Sequence, residues 1–328
     1  CGEIMFNHTR VDESKMRHMM QSIIKRGPDH SDEYQHNNVY LGHRRLSVID
    51  ISSKSHQPME DKKSKKVIVF NGVIYNYKEI RELLINKGYI FSSDGDTEVI
   101  LKSYDHYGED CVKYLDGVFS FCIYDPDANK IFLARDRLGI KPLYYKLESK
   151  YFAFASNTKA LIGRNDNEIN HKSLHHQFTL HSVIPAPNTI LKNIYKLEPG
   201  HSATVTSDGK ILKNKYYALD DIKINHNIEE NEIIEESERL LMNAIEKRFY
   251  TADVDVGVLL SGGLDSSLIV AMAAKSKLSK INTFSIGFPT INDEVGDEFY
   301  YSDMVSKQFK TNHYKYNINQ DHLMESLD

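Results

Sequence analysis

A cysteine opens the chain, and "LLSGGLDSS" runs from residue 259 to 267. These two stretches hold the residue types best suited to chemistry. A cysteine thiol is a poor nucleophile until something takes its proton. At position 1 the residue's own α-amine, with an ordinary pKa of roughly 7.7–8.0, is a base close at hand. Three other readings of Cys1 stand beside that one. The residue is first only because of where the sequence was cut, or it is acylated as in a bacterial lipoprotein, or it is simply packed. The rest of the chain has to decide.

The second stretch joins an apolar run to a helical one. Gly262 and Gly263 let the backbone approach a ligand closely, and the helix start behind them offers free N–H groups and a partial positive charge. Ser261, Ser266 and Ser267 add hydroxyl donors. Asp265 repels phosphate unless a magnesium ion bridges the two. The loop lacks the Gly-Lys-Ser/Thr of a Walker sequence. A plain Ser-Gly turn with Asp265 as helix N-cap is the alternative. The coincidence of two glycines, three serines and an aspartate at a strand-to-helix junction argues against it.

Composition narrows the classes. A length of 328 residues predicts about two domains. With 41% hydrophobic and 27% charged residues the mix is globular. A net charge of −5 leaves no basic footprint for nucleic acid or an anionic membrane. No apolar run approaches the roughly 18 residues of a membrane helix. Cys1, Cys111 and Cys122 are too few for a disulfide scaffold and fit no zinc spacing. Cys122, in "VFSFCIYD", reads as a core residue. The expectation is a cytoplasmic protein.

The elements that must position these residues follow from periodicity. Residues 12–27 put Met16, Met19, Met20, Ile23 and Ile24 on one helical face, with Gly27 and Pro28 as the stop. "KKVIVFNG" predicts a strand ending at Asn71-Gly72. Asn76 and Glu79 suggest a capping box for the next helix, stopped at Gly88, and a further helix over 97–107 closes at Gly108. "GVFSFCIYD", "KIFLARD", "PLYYKL" and "YFAFAS" are short strands. This part reads as an α+β domain with antiparallel sheets. After it, residues 229–249 form a long helix with Ile233, Leu240, Leu241, Ala244 and Ile245 inward. "DVDVGVLL" reads as a buried parallel strand, followed by the loop, a helix and the strand "INTFSIGF". That order starts a doubly wound α/β domain. The boundary falls near 210–228, giving domains 1–213 and 214–328.

"SGGLDSS" resembles the pyrophosphate loop of ATP pyrophosphatases. "CGEI", "RGPD" (26–29), "HRRLSVID" (43–50), "NGVIYNY" (71–77), "DGDTEVIL" (94–101), "DGVFSFCIYD" (116–125), "RDRLGIKPLYY" (135–145) and "FASNTKAL" (154–161) then occur in order. Together they resemble the glutamine-hydrolysing asparagine synthetase B family, over essentially the whole chain. The resemblance implies an α+β N-terminal-nucleophile domain of stacked antiparallel sheets flanked by helices (αββα). Behind it stands the start of an α/β doubly wound ATP-pyrophosphatase domain.

What the resemblance implies can be carried over residue by residue. Cys1 attacks the glutamine side-chain amide, and the Asn71 side chain and Gly72 N–H hold the oxyanion. Arg45 pairs with the substrate carboxylate and Asp96 with its ammonium, in a pocket also lined by Leu46, Ser47, Val48, Ile49 and Val73. Ser261, Gly262, Gly263, Asp265, Ser266 and Ser267 hold the ATP pyrophosphate, Asp265 through Mg2+, while Leu260 and Ile286 touch the nucleotide. Partners are glutamine, ATP and a carboxylate acceptor, aspartate for asparagine synthesis, and a homodimer is compatible.

Two departures alter those expectations. The family's "NGE" is "NGV" here, so Val73 replaces a glutamate that helps hold the substrate ammonium. The loss of one charge-assisted bond predicts weakened glutamine use, by about ten- to a hundredfold, with free ammonia as an alternative donor. The family's second phosphate and acceptor motif, Ser-Gly-Glu-Gly-x-Asp-Glu, is not found among these residues. We therefore expect a piece of a longer protein, with the acceptor site elsewhere. The segment 181–201 resembles a bacterial branch of which some members amidate sugar carboxylates, the alternative substrate class. A non-catalytic glutamine sensor or anchored protein is the alternative of another kind.

Overall fold

The computed structural model describes residues 1–6, 10–163, 168–225, 227–276, 280–289 and 296–325. The chain divides into two compact units, Cys1–Lys223 and Ile224–Asp328.

The strands of the first unit are β1 (Gly2–Met5), β2 (His30–His36), β3 (Val39–Arg45), β4 (Met59–Glu60), β5 (Val67–Ile74), β6 (Gly117–Asp125), β7 (Lys130–Arg135), β8 (Tyr144–Leu147), β9 (Tyr151–Ala155), β10 (Tyr195–Lys196), β11 (His201–Thr206) and β12 (Ile211–Lys215). They form two six-stranded sheets, ordered β10-β8-β9-β1-β3-β2 and β12-β11-β7-β6-β5-β4. Each pairing is antiparallel. The helices are α1 (Glu13–Ser22), α2 (Tyr77–Asn86), α3 (Asp96–Tyr107) and α4 (His171–Thr179).

The period-two alternation of a strand decides which side chains go where. Val67 and Val69 of β5 pack with Ile4, Val39, Leu41, Phe152 and Phe154 between the sheets. Ile68 and Phe70 turn the other way, against Ile80 and Leu84 of α2 and Val99 and Leu101 of α3. Met16, Met19 and Met20 of α1 cover Tyr40, Ala153 and Ala155 on the outer face of the other sheet. Each fully buried side chain of this kind stabilises by about 1.5–3 kcal/mol. The layers are helix, sheet, sheet, helix, the αββα arrangement expected. Cys122 is fully buried between the sheets, as its apolar surroundings required.

Local readings are corrected in three places. The first helix ends at Ser22, and a 3-10 turn over Ile24–Arg26 follows, so Ile24 leaves the buried face and is 40% exposed. β5 runs past Gly72 to Ile74, because β6 continues to pair with it there. Asn76 makes no capping bond. Its side chain instead donates to the Tyr114 carbonyl and accepts from the Asp116 N–H, at 2.9 Å each.

The second unit holds α5 (Glu230–Thr251), β13 (Gly257–Leu259), α6 (Leu264–Lys275), β14 (Asn282–Gly287), α7 (Phe299–Phe309), β15 (Asn312–Asn317) and α8 (Gln320–Glu325). Its strands pair in parallel in the order β13-β14-β15, as a doubly wound unit starts. Ile245, Val258, Leu260, Val270, Ala273 and Ile281 form its core. That core takes only a narrow stripe of α5. Ile233, Leu240 and Leu241, expected inward, are 47%, 52% and 41% exposed. Leu259 is 74% exposed, so β13 is not buried on both faces among the described residues.

Candidate active site

A cleft of about 280 Å3 opens in the first unit. Its wall gathers Cys1, Arg45, Leu46, Val48, Ile49, Asn71, Gly72, Val73 and Asp96, drawn from the residue before β1, from β3, β5 and α3, and from the loop after β3. Ser47 alone of the predicted set is missing from the wall. Its N–H donates to the Asp29 carboxylate at 2.7 Å, which anchors the loop from outside.

Cys1 sits just before β1, against Gly42 of β3. Its α-amine donates to the Gly42 carbonyl at 3.0 Å, and the Gly42 N–H donates back to the Cys1 carbonyl at 2.8 Å. The thiol lies 3.8 Å from the Met20 sulfur of α1. Burial pulls the amine down from its ordinary value to about 5. At neutral pH it is a free base.

The surroundings of Asn71 and Gly72, the pair expected to hold an oxyanion, follow from how β5 is edged. β4 pairs with β5 only through Val67 and Ile68, so the edge beyond is open. There the Phe70 N–H donates to Gln57 Oε1 at 2.6 Å and the Ile74 N–H to Asp96 Oδ2 at 3.0 Å. Alternation along a strand puts the Gly72 N–H on the same edge, between these two. Next to it, Asn71 Nδ2 is buried with no partner among the described residues. An orphaned buried donor costs about 1–3 kcal/mol and calls for an explanation of its own. Gly72 is required by close approach, since a Cβ there would stand 2.1 Å from the Val118 carbonyl oxygen and 2.7 Å from Phe119 Cα.

Arg45 and Asp96 are each 5% exposed. The Arg45 guanidinium donates to the carbonyls of Ser52, Ile49 and Asp50 at 3.0, 3.2 and 2.5 Å. These bonds shape the loop that lines the cleft. They use three of the guanidinium's five N–H groups. Asp96 is the first residue of α3, whose N-cap is Gly95. Burial pushes its carboxyl up to about 7, against the Ile74 N–H, the first N–H groups of its own helix and nearby Arg45. A buried carboxyl of this kind has a strong demand for a cation. Val73 adds only apolar wall and packs on the core under α2 and α3.

The wall also holds residues that sequence reasoning did not single out: Arg26, His43, Gln57, Thr97, Ser120 and Lys141. Arg26, His43 and Lys141 stood inside quoted blocks and carried no role there. Gln57 had no signal at all, because its work is to cap a peptide that only the folded chain brings to it.

In the second unit the loop between β13 and α6 is exposed on one side. Gly262 takes φ +89°, and a Cβ on it would lie 2.5 Å from Tyr301 Cβ at the start of α7. Ser261 Oγ accepts from the Gly263 N–H at 3.2 Å and lies 3.1 Å from Ser266 Oγ. Ser267 Oγ is buried and unpartnered among the described residues. Asp265 stands exposed in the first turn of α6, Leu260 is buried, and Ile286 is 53% exposed on β14. The helix start, the orphaned hydroxyl and one carboxylate suit a polyphosphate carrying Mg2+, an ion that keeps waters and takes few protein oxygens. No helix among the described residues is long and apolar enough to cross a membrane.

The chain is similar to known proteins over both units. Residues 1–217 match the family model for a glutamine amidotransferase domain, and residues 236–328 match that for asparagine synthase. A putative asparagine synthetase (glutamine-hydrolyzing) 2 of Methanocaldococcus jannaschii is 37% identical, over all of this chain and 66% of its own length. Asparagine synthetase (glutamine-hydrolyzing) 1 of Bacillus subtilis is 38% identical, over 88% of this chain and 46% of its own length. Asparagine synthetase (glutamine-hydrolyzing) 3 of the same organism is 33% identical, over all of this chain and 55% of its own length. The chain thus spans between about half and two thirds of these relatives. With a family model matching residues 1–217, more than half of the chain, the chain belongs to the glutamine amidotransferase family, and it carries an asparagine synthase segment behind that domain.

Proposed function

We propose that the first unit hydrolyses glutamine to glutamate and ammonia, and that the second binds ATP for amide formation on a carboxylate. One observation carries the first part: Asn71 Nδ2, buried and without a partner among the described residues, stands in the same cleft as a Cys1 amine poised as a free base. The amine takes the thiol proton as sulfur attacks the side-chain carbonyl. Asn71 Nδ2–H and the Gly72 N–H receive the developing oxyanion. The protonated amine, a stronger acid than usual because of its burial, returns the proton to the departing nitrogen. Ammonia leaves and a thioester remains, which water hydrolyses. The remaining N–H groups of Arg45 orient the substrate carboxylate, and Asp96 takes its ammonium.

The second unit supplies Ser261, Gly262, Gly263, Ser266 and Ser267 for the pyrophosphate, with Leu260 and Ile286 against the nucleotide. Asp265 would hold Mg2+, whose chemistry is to neutralise the polyphosphate charge. The acceptor is aspartate in our reading, supported by the similarity to asparagine synthetases, and asparagine, AMP and pyrophosphate are the products. Ammonia release from glutamine, with Cys1→Ala as the control, tests the first unit. Cys1-dependent release is expected. Release that persists unchanged in the variant overturns the reading.

A further inference from the structure

We propose that His43 and Gln57 are positioning residues that hold the carbonyl and the N–H of Phe70, and with them the two peptides flanking that residue, and so aim the oxyanion donors Asn71 and Gly72. The inference rests on the amidotransferase reading of the cleft.

The need for a clamp follows from the topology. β4 leaves β5 after Ile68, so the strand carrying Asn71 and Gly72 has a free edge where the reaction happens. A free edge lacks the ladder that fixes a peptide plane. Oxyanion donors act only when held within a few tenths of an ångström of roughly 2.7–3.1 Å from the reacting oxygen. At Phe70, the residue before Asn71, both backbone groups are taken by side chains instead of a strand. The N–H donates to Gln57 Oε1 at 2.6 Å, and the carbonyl accepts from His43 Nε2 at 3.0 Å.

Each clamp reaches back to another part of the site. His43 lies on β3, in the opposite sheet, immediately between Gly42, which holds the Cys1 amine, and the two arginines that end the strand. It shares the inner face of β3 with Val39 and Leu41 by alternation. Its bond to Phe70 therefore ties the strand that seats the nucleophile to the strand that stabilises the oxyanion. Gln57 Nε2 donates to Thr97 Oγ1 at 3.2 Å, beside Asp96 at the start of α3. The ammonium-binding carboxylate is thus tied to the same residue.

The ring's protonation agrees with this role. A carbonyl only accepts, so Nε2 carries the proton. Burial, then the Cys1 amine, which is protonated at such acid pH, hold the His43 ring down at about 3. The ring stays neutral, and the tie does not alter over the working pH range. Its Nδ1 is shut from solvent without a partner among the described residues. That makes a second role conceivable, as a base toward Cys1, and the test separates the two.

The experiment measures steady-state glutamine hydrolysis by the full chain, with cooperative thermal unfolding as the check on folding. His43→Leu, His43→Asn (too short to reach Phe70) and Gln57→Leu each lower kcat by about 10- to 100-fold, with KM within about threefold. His43→Gln, whose amide can donate to the same carbonyl, recovers most of the loss. The rate of Cys1 alkylation by iodoacetamide, which needs no oxyanion hole, stays at the wild-type value in all of them. A fall in alkylation matching the fall in kcat overturns the clamp in favour of His43 acting on the nucleophile. Unchanged kcat in the folded variants also overturns it. An absence of Cys1-dependent ammonia release in the wild-type chain is a different result, and overturns the amidotransferase reading beneath.

Discussion

The Cys1 cleft and the 259–267 loop, the two sites of the proposed function, are built by opposite means. In the cleft, ionisable groups are taken out of water and their behaviour is changed by it. The Cys1 amine falls to about 5 and Asp96 rises to about 7, each mainly through burial. In the loop, the working groups are backbone N–H, serine hydroxyls and one exposed carboxylate. A small zwitterion with a neutral amide needs shape and buried countercharges. A polyphosphate already carries the charge, so oriented dipoles at a helix start suffice. The cleft also has both its walls in the described unit. The second unit shows open apolar side chains on β13 and α5.

This contrast can be broken by substitution, beginning with the largest effect. Asn71→Ala removes the orphaned donor and should lower kcat for glutamine about 100- to 1000-fold, with KM little altered, read by ammonia release. A KM effect alone would place Asn71 in ground-state binding instead. Gly262→Ala puts a methyl 2.5 Å from Tyr301 Cβ at a backbone angle that disfavours it, and should weaken nucleotide binding at least about tenfold by calorimetry. Retained affinity would mean that the loop does not approach its ligand as closely as the backbone suggests.

Val73→Glu restores a carboxylate to the ammonium end of the cleft. KM for glutamine should fall about ten- to a hundredfold, the worth of one charge-assisted hydrogen bond. A KM like that of the wild type would show that Asp96 alone holds the ammonium.

The smallest effect is graded by pH. Asp96 must be ionised to pair with an ammonium, and its carboxyl titrates near 7 in the free protein. KM should rise about tenfold as pH falls one unit below that value. The amine stays a free base down to about 5, so kcat should hold nearly level over the same range. The two groups also oppose one another in stability. A carboxyl raised from 3.8 to about 7 makes the folded protein bind more protons, so its contribution declines as pH rises through that window. An amine lowered from 8.0 to about 5 makes the unfolded chain bind more, so its contribution grows as pH rises through its own window. Parallel changes in KM and kcat would place both titrations on one group.

Near-continuous apolar runs made β5, β6, β7 and β9 legible, since a strand buried on both faces reads that way. The helices over 77–86 and 96–107 were legible from their apolar spacing. Boundaries were less so. α1 stops five residues before Gly27, and Asn76 holds the N-cap position of α2 without a side-chain capping bond because the Asp116 turn takes its side chain. The inward set of α5 was misread because amphipathic spacing records which side chains prefer burial, and the core of the second unit covers only part of that face.

What the sequence by itself determined are the residue types that chemistry cannot replace: Cys1 with its own amine, Asn71-Gly72, Arg45, Asp96 and the glycine-serine loop. Their order and spacing pointed to the reaction. Only the tertiary structure decided that the Cys1 amine is a free base, that Asp96 titrates near neutrality, and that a single N–H on the open edge of β5 is left between two capped ones. It also decided that His43 and Gln57 meet at Phe70, from positions 27 and 13 residues away. The reason is physical. Residue type sets what a group can do, whereas desolvation and alignment depend on everything packed around it, most of which is distant in the chain.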